Sequence, residues 1–104
     1  MSEDVTTKSD GHCTEYRLAG VLHREDGPAW FNSYNEKEYW QEGRLHRMDG
    51  PAVEYVMGFR QWWINGFLVD GIIQPWAKEM NIDLENLTEE DKVLIAMVWS
   101  NYEE

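Results

Sequence analysis

The sequence predicts an α+β fold: stacked β-hairpin repeats forming a twisted antiparallel sheet, capped by one or two C-terminal helices. Three observations predict it. First, Gly20-Val21-Leu22-His23-Arg24-Glu25-Asp26-Gly27-Pro28-Ala29 returns as Gly43-Arg44-Leu45-His46-Arg47-Met48-Asp49-Gly50-Pro51-Ala52, and a truncated copy opens at Gly66, so the period is 23 residues. The period extends beyond the motif: Tyr16, Tyr39 and Trp62 share one column, Trp40 and Trp63 a second, and Leu22, Leu45 and Leu68 a third. A fixed period of this size signals supersecondary units that stack on one another. Second, each copy is punctuated by short turn signals, of which Asn65-Gly66 between apolar runs is the clearest hairpin loop. Third, the composition changes after Asp70 to a helical pattern, which supplies the cap that a short stack needs at its last unit.

Three segments follow. Residues 1–12 are polar, with Met1 and Val5 as their only large apolar residues, and read as a flexible tail that cannot bury enough surface to order itself. Residues 13–74 are the hairpin repeat region. The first strand is expected near Cys13, with Thr14 to Leu18 turning at Ala19-Gly20 and returning through Leu22 to Arg24. Asp26-Gly27-Pro28 then breaks the ladder, because Asp-Gly favours positive φ and Pro28 removes a donor. The second copy repeats this plan with a strand over Glu36 to Gln41, a turn at Glu42-Gly43, a return over Arg44 to Arg47 and the Asp49-Gly50-Pro51 break. A strand over Ala52 to Val56, a turn at Met57-Gly58 and a strand over Phe59 to Ile64 lead into Asn65-Gly66. With that pair as the loop, Trp63 faces Leu68 and Trp62 faces Val69; the equivalent pairs are Trp40 with Leu45 and Tyr39 with His46. Side chains alternate between faces, so Trp40, Leu45, Trp63 and Leu68 form one row and Tyr39, His46, Trp62 and Val69 the other.

Residues 75–104 read as an acidic helical cap. Pro75 suits a first helical position, which predicts a helix through Met80 ended by Asn81-Ile82-Asp83. Thr88 is an N-cap with Glu89, Glu90 and Asp91 in the first turn, where carboxylates favour the helix dipole. Leu94, Ile95, Val98, Trp99 and Tyr102 then recur at offsets of three and four as one apolar stripe.

The arrangement Trp40-Gln41-Glu42-Gly43-Arg44-Leu45-His46 resembles the membrane occupation and recognition nexus (MORN) repeat, a 23-residue hairpin unit. Trp63-Ile64-Asn65-Gly66 keeps its first half; Gly20 to His23 keep its second, with Arg17 in the tryptophan column. The chain departs from that pattern where Arg24 and Arg47 follow the histidines in place of glycine. The LHRxDGPA wording is similar to variant repeats of bacteriophage and bacterial proteins. The resemblance implies an elongated twisted sheet and a scaffold that binds proteins or lipids, and it implies no catalysis.

Composition limits the function classes. The formal charge of −11 is spread as −2 over residues 1–12, −3 over 13–74 and −6 over 75–104, and it repels nucleic acid and anionic lipid. One cysteine, Cys13, excludes an intrachain disulfide and fits a reducing cytoplasm. No run of about 18 apolar residues and no basic-then-apolar leader is present, so neither a membrane span nor a secretory signal is expected.

His23, Arg24 and Asp26, with His46, Arg47 and Asp49, look like a duplicated catalytic or metal set. Equivalent positions in successive hairpins stand about 10 Å apart with parallel side chains, whereas zinc needs ligands at roughly 2 Å from one ion. These six residues are therefore expected to be structural, with no catalytic residue, metal or cofactor. The candidate interface is Trp30, Phe31, Trp40, Trp62 and Trp63, with Glu36, Glu38 and Glu54 as an electronegative strip. The expected function is a non-catalytic protein-binding module that inhibits a host protein, in the host cytoplasm if the gene is a phage's. The alternatives are an acidic mimic of nucleic acid and a small enzyme using the His/Arg/Asp columns. The sheet edge near Cys13 is open to a second copy.

Overall fold

The computed structural model describes the backbone of residues 5–102 and the side chains of residues 6–100. The α+β arrangement is observed: antiparallel hairpins followed by two C-terminal helices. The strands are β1 (Val5–Ser9), β2 (Cys13–Leu18), β3 (Val21–Leu22), β4 (Trp30–Asn32), β5 (Lys37–Glu38), β6 (Trp40–Gln41), β7 (Arg44–Leu45), β8 (Val53–Glu54), β9 (Arg60–Gln61), β10 (Trp63–Ile64) and β11 (Phe67–Leu68). The helices are α1 (Asp70–Met80) and α2 (Glu89–Tyr102). The main sheet runs β1-β2-β4-β5-β8-β9 with β3 paired to β2, while β6-β7 and β10-β11 form two further hairpins. The registers Trp40↔Leu45 and Trp63↔Leu68 are those expected from the turns.

The same backbone bonds recur at an offset of 23 residues. His23, His46 and Val69 donate to Tyr16, Tyr39 and Trp62; Arg24 and Arg47 donate to Trp40 and Trp63; Gly43 and Gly66 donate to Leu22 and Leu45. The return strand of each short hairpin is thereby tied to the outgoing strand of the next. The three short turns at an offset of 23 residues share one backbone solution. Ala19-Gly20, Glu42-Gly43 and Asn65-Gly66 are two-residue loops with positive φ at both residues, the geometry that matches the right-handed twist of the flanking strands. Met57-Gly58 also has positive φ at both residues but belongs to a three-residue loop that begins at Val56.

The expected long strands are broken at Tyr39 and Trp62, between β5 and β6 and between β9 and β10. There the chain passes from the main sheet to its own short hairpin. Tyr39 donates its backbone N–H to Ala52, and Trp62 donates to the Asp70 carboxylate at 2.8 Å. Trp62, Val69 and Ile64 meet Ile73 of α1 and Ile95 and Trp99 of α2 in the core, with Met48, Trp76, Leu84 and Leu87 around them.

Four expectations are corrected. Residues 5–9 are not a tail: β1 pairs with β2 from Val5↔Leu18 to Ser9↔Thr14. Ladder bonds need no apolar side chains, and the turn is held by the Asp10 carboxylate, which accepts the N–H groups of Cys13 at 2.8 Å and His12 at 2.9 Å. The rest of the expected tail, residues 1–4, lies outside the described residues. As a consequence β1 covers the Cys13 strand, and the sheet edge is β1 itself. Helix α1 begins at Asp70 rather than Pro75, because Asp70 both ends the ladder and opens the helix. Pro75 sits inside it, where its missing N–H leaves only exposed Gly71 without that partner. Finally, Leu94 is 41% exposed although Ile95 and Trp99 are fully buried, so the stripe of α2 is narrower than its sequence spacing; the Tyr102 side chain lies outside the described residues. Thr88 caps α2 as expected: its hydroxyl accepts the Asp91 N–H at 3.0 Å while the Asp91 carboxylate accepts the Thr88 N–H at 3.1 Å. Asn81 ends α1 in a left-handed conformation, and Ile82 N–H reaches back to Ala77.

Candidate binding face

Strand pairing lines up Glu15, Trp30, Glu38, Val53 and Gln61 across one face of the main sheet. Two residues further along the chain stand Arg17, in β2, and Trp40 and Trp63, which open β6 and β10, opposite Leu22, Leu45 and Leu68. Each member of the second line donates a side-chain hydrogen to the first. Arg17 Nε bonds Glu15 Oε1 at 2.7 Å, Trp40 Nε1 bonds Glu38 Oε1 at 2.9 Å, and Trp63 Nε1 bonds Gln61 Oε1 at 3.2 Å. Arg17 thus performs the donor role of the tryptophan whose column it occupies. The bonds fix both indoles along their strands, and the helices lie on the opposite face.

Trp40, Trp63 and Leu45 are half-buried and Leu68 is 52% exposed; Phe67, 73% exposed, pairs with Ile64 and so belongs to the opposite face. The loop end of the same face carries Tyr55 and Phe59, whose rings stack with centroids 5.8 Å apart. The Tyr55 hydroxyl donates to the Glu38 carboxylate. Desolvation first and Glu38 second push that phenol up to about 12. Arg17 beside Glu15 holds that carboxyl below its usual range.

The sequence-predicted interface residues divide. Trp30, Trp40, Trp63, Glu36 and Glu38 share this face. Phe31 lies on the other one, where its ring meets Tyr16 at 6.3 Å. Trp62 is only 3% exposed and belongs to the core, so it leaves the interface; the hairpin alternation that puts half-buried Trp63 on the open face turns Trp62 under the helices. Glu54 also lies on the helix side, ion-paired to Arg47 at 2.9 Å. Tyr55, Phe59 and Leu68 were not expected at the interface. The signal available for two of them was apolar Val56 and Phe59 flanking the Met57-Gly58 turn.

On the opposite face the His/Arg/Asp columns are engaged in structure. His23 Nδ1 accepts the Glu42 N–H at 3.0 Å and His46 Nδ1 accepts the Asn65 N–H at 2.9 Å, each joining one hairpin to the turn of the next. Those acceptor roles place the ring hydrogen of a neutral imidazole on Nε2. Arg24 bonds Asp26 at 3.1 Å and the Pro28 carbonyl at 3.2 Å, and its guanidinium lies 4.1 Å from the centre of the Tyr16 ring. Arg47 bonds Asp49 and the Pro51 carbonyl at 3.1 Å and lies 4.0 Å from the Tyr39 ring centre. Between these two turns and Ala96 of α2 is an open cleft of about 560 Å³. Among the described residues no group of three His, Cys, Asp or Glu side chains is placed to hold a metal ion. Cys13 is half-buried, and desolvation followed by the Asp10 and Glu15 carboxylates pushes its thiol up, away from the nucleophilic thiolate. No described helix is long and apolar enough to cross a membrane.

No family model, curated protein or solved structure matches this chain.

Proposed function

We propose that this protein is a non-catalytic module that binds another protein through the uncovered sheet face carrying Trp40 and Trp63. One observation carries the reading: both indoles are held in place by side-chain bonds on a face that the helices leave open. Tryptophans fixed in this way lose little entropy on binding and are the residue type most enriched at interface hot spots. The chemistry-bearing columns support it from the other side, since His23, His46, Arg24 and Arg47 are engaged in holding hairpins together. The wording of the repeat makes a host protein the expected partner and inhibition the expected effect.

The test is capture from a bacterial lysate with the wild type and with Trp63→Ala. A stoichiometric partner recovered by the first and lost by the second is the expected result. Equal recovery by both overturns the reading.

A second reading, the acidic mimic of nucleic acid, is favoured by the charge of −6 over residues 75–104 and by exposed Glu89 and Glu90 at the start of α2. Its complex weakens steeply with salt. A complex of unchanged strength between 50 and 500 mM salt eliminates it.

A further inference from the structure

We infer that the partner segment recognised by this face is a cationic, proline-rich stretch in the polyproline II conformation, laid across the hairpins from Trp40 to Trp63. The inference rests on the binding role proposed above and adds the class of ligand.

Spacing comes first. Arg47 N–H donates to Trp63 and Gly66 N–H to Leu45, so β7 and β10 are neighbours and β6 lies two strands from β10. At roughly 4.8 Å per strand the two tryptophan rungs are about 10 Å apart. A polyproline II helix advances about 3.1 Å per residue with three residues per turn, so residues three apart recur on one edge every ~9.3 Å. One proline therefore meets Trp40 and the proline three positions on meets Trp63. An extended β-strand, at roughly 3.3 Å per residue, alternates faces and presents residues three apart on opposite sides.

Hydrogen bonding narrows the ligand. Both indole N–H groups are already donated, to Glu38 and Gln61, so the rings offer faces and edges without a free donor. A pyrrolidine ring, which packs on aromatic surfaces and arrives already ordered, suits that platform. Charge supplies the last constraint. The face carries Glu15, Glu36 and Glu38, and Arg17, which is ion-paired to Glu15 at 2.7 Å. Lys37 and Arg60 flank Glu54 on the other face, where Arg24 and Arg47 also lie over Tyr16 and Tyr39. This segregation attracts Lys or Arg between the prolines. It also disfavours a second copy of a chain with net charge −11.

The experiment titrates a synthetic peptide of four Lys-Pro-Pro triplets into the full ¹⁵N-labelled chain. The indole N–H signals of Trp40 and Trp63 are expected to shift and saturate, while those of core Trp62 and Trp99 stay in place. Trp40→Ala and Trp63→Ala each weaken binding by at least about tenfold, as hot-spot truncations do. Glu38→Gln, which retains one oxygen as acceptor for the Trp40 indole and exchanges the other, the Tyr55 acceptor, for an amide nitrogen, weakens it by about threefold through the lost charge. Unmoved Trp40 and Trp63 signals, or equal binding of four Lys-Gly-Gly triplets, overturn the inference. If lysate capture still depends on Trp63 in that event, the ligand class alone is wrong; if that dependence is absent too, the binding face is wrong.

Discussion

At the scale of single residues, the repeated motif is explained by the way each arginine folds over its own turn. Arg47 bonds Asp49, the Pro51 carbonyl and Glu54 while stacking on Tyr39. Gly50 is what allows this, since a Cβ there would lie 2.8 Å from the guanidinium carbon. Arg24 repeats the arrangement more loosely: a Cβ on Gly27 would stand at 3.2 Å, and Arg24 is the more exposed of the two. Gly50→Ala is therefore expected to destabilise the fold by about 1–3 kcal/mol as an overpacking change, and Gly27→Ala by less, as denaturant titration of both variants would measure. Similar losses would show that the close approach is unimportant. Tyr55 gives a pH prediction. Its folded-state value of about 12 lies above the ordinary 10.0, so its stabilising bond to Glu38 is present below pH 10 and is lost as pH rises through 10 towards 12. Unfolding of wild type and Tyr55→Phe at pH 8 and pH 11.5 should show the gap in stability closing at the higher pH; a constant gap would refute the assignment.

At the scale of elements, Asp70 decides where the hairpins stop. In the first two copies the N–H of Tyr16 and of Tyr39 donates to Ala29 and Ala52, the carbonyls that follow the Asp-Gly-Pro break. Trp62 is the third member of that column, and the chain supplies its acceptor from the Asp70 side chain. Asp70 stands where Arg24 and Arg47 stand, so one substitution within the period closes the ladder and starts α1. Asp70→Ala leaves the Trp62 N–H without a partner and is expected to cost about 1–3 kcal/mol, whereas Asp70→Asn, which keeps a carbonyl acceptor, costs clearly less. Equal losses in a chemical-denaturation comparison would place the value of Asp70 in its charge instead. The cap at Thr88 and the paired positive-φ turns were legible because each depends on residues within a few positions of one another. Helix α1 was misplaced because its start is fixed by a bond to Trp62, eight residues back at the break between β9 and β10.

At the scale of the whole molecule, 42 × 34 × 22 Å, net charge and face assignment matter most. A chain at −11 repels itself when compact, so raising salt from 20 to 500 mM should raise the melting temperature by several degrees; a fall would mean that ion pairs such as Arg47–Glu54 outweigh the repulsion. The binding face was half legible. The alternation of Trp62 and Trp63 placed them on opposite faces, yet nothing local says which face the helices cover. Ile95 and Trp99 make that choice by packing on Trp62 and Val69, which leaves Trp40 and Trp63 half-buried on the other face. The joining of β1 to the sheet was hidden for a related reason: Val5–Ser9 is held by backbone pairing, which has little compositional signature. The sequence by itself determined the 23-residue period, the turns of the short hairpins, the hairpin registers and the cap of α2, because these follow from φ preferences and side-chain alternation over short distances. The positive φ expected at the Asp-Gly-Pro breaks is not adopted, and Gly27 and Gly50 serve there to let the arginines pack close. Only the tertiary structure decided which tryptophan is core, where the ladder ends and which carboxylates remain on the open face, because each of those depends on what a distant segment covers.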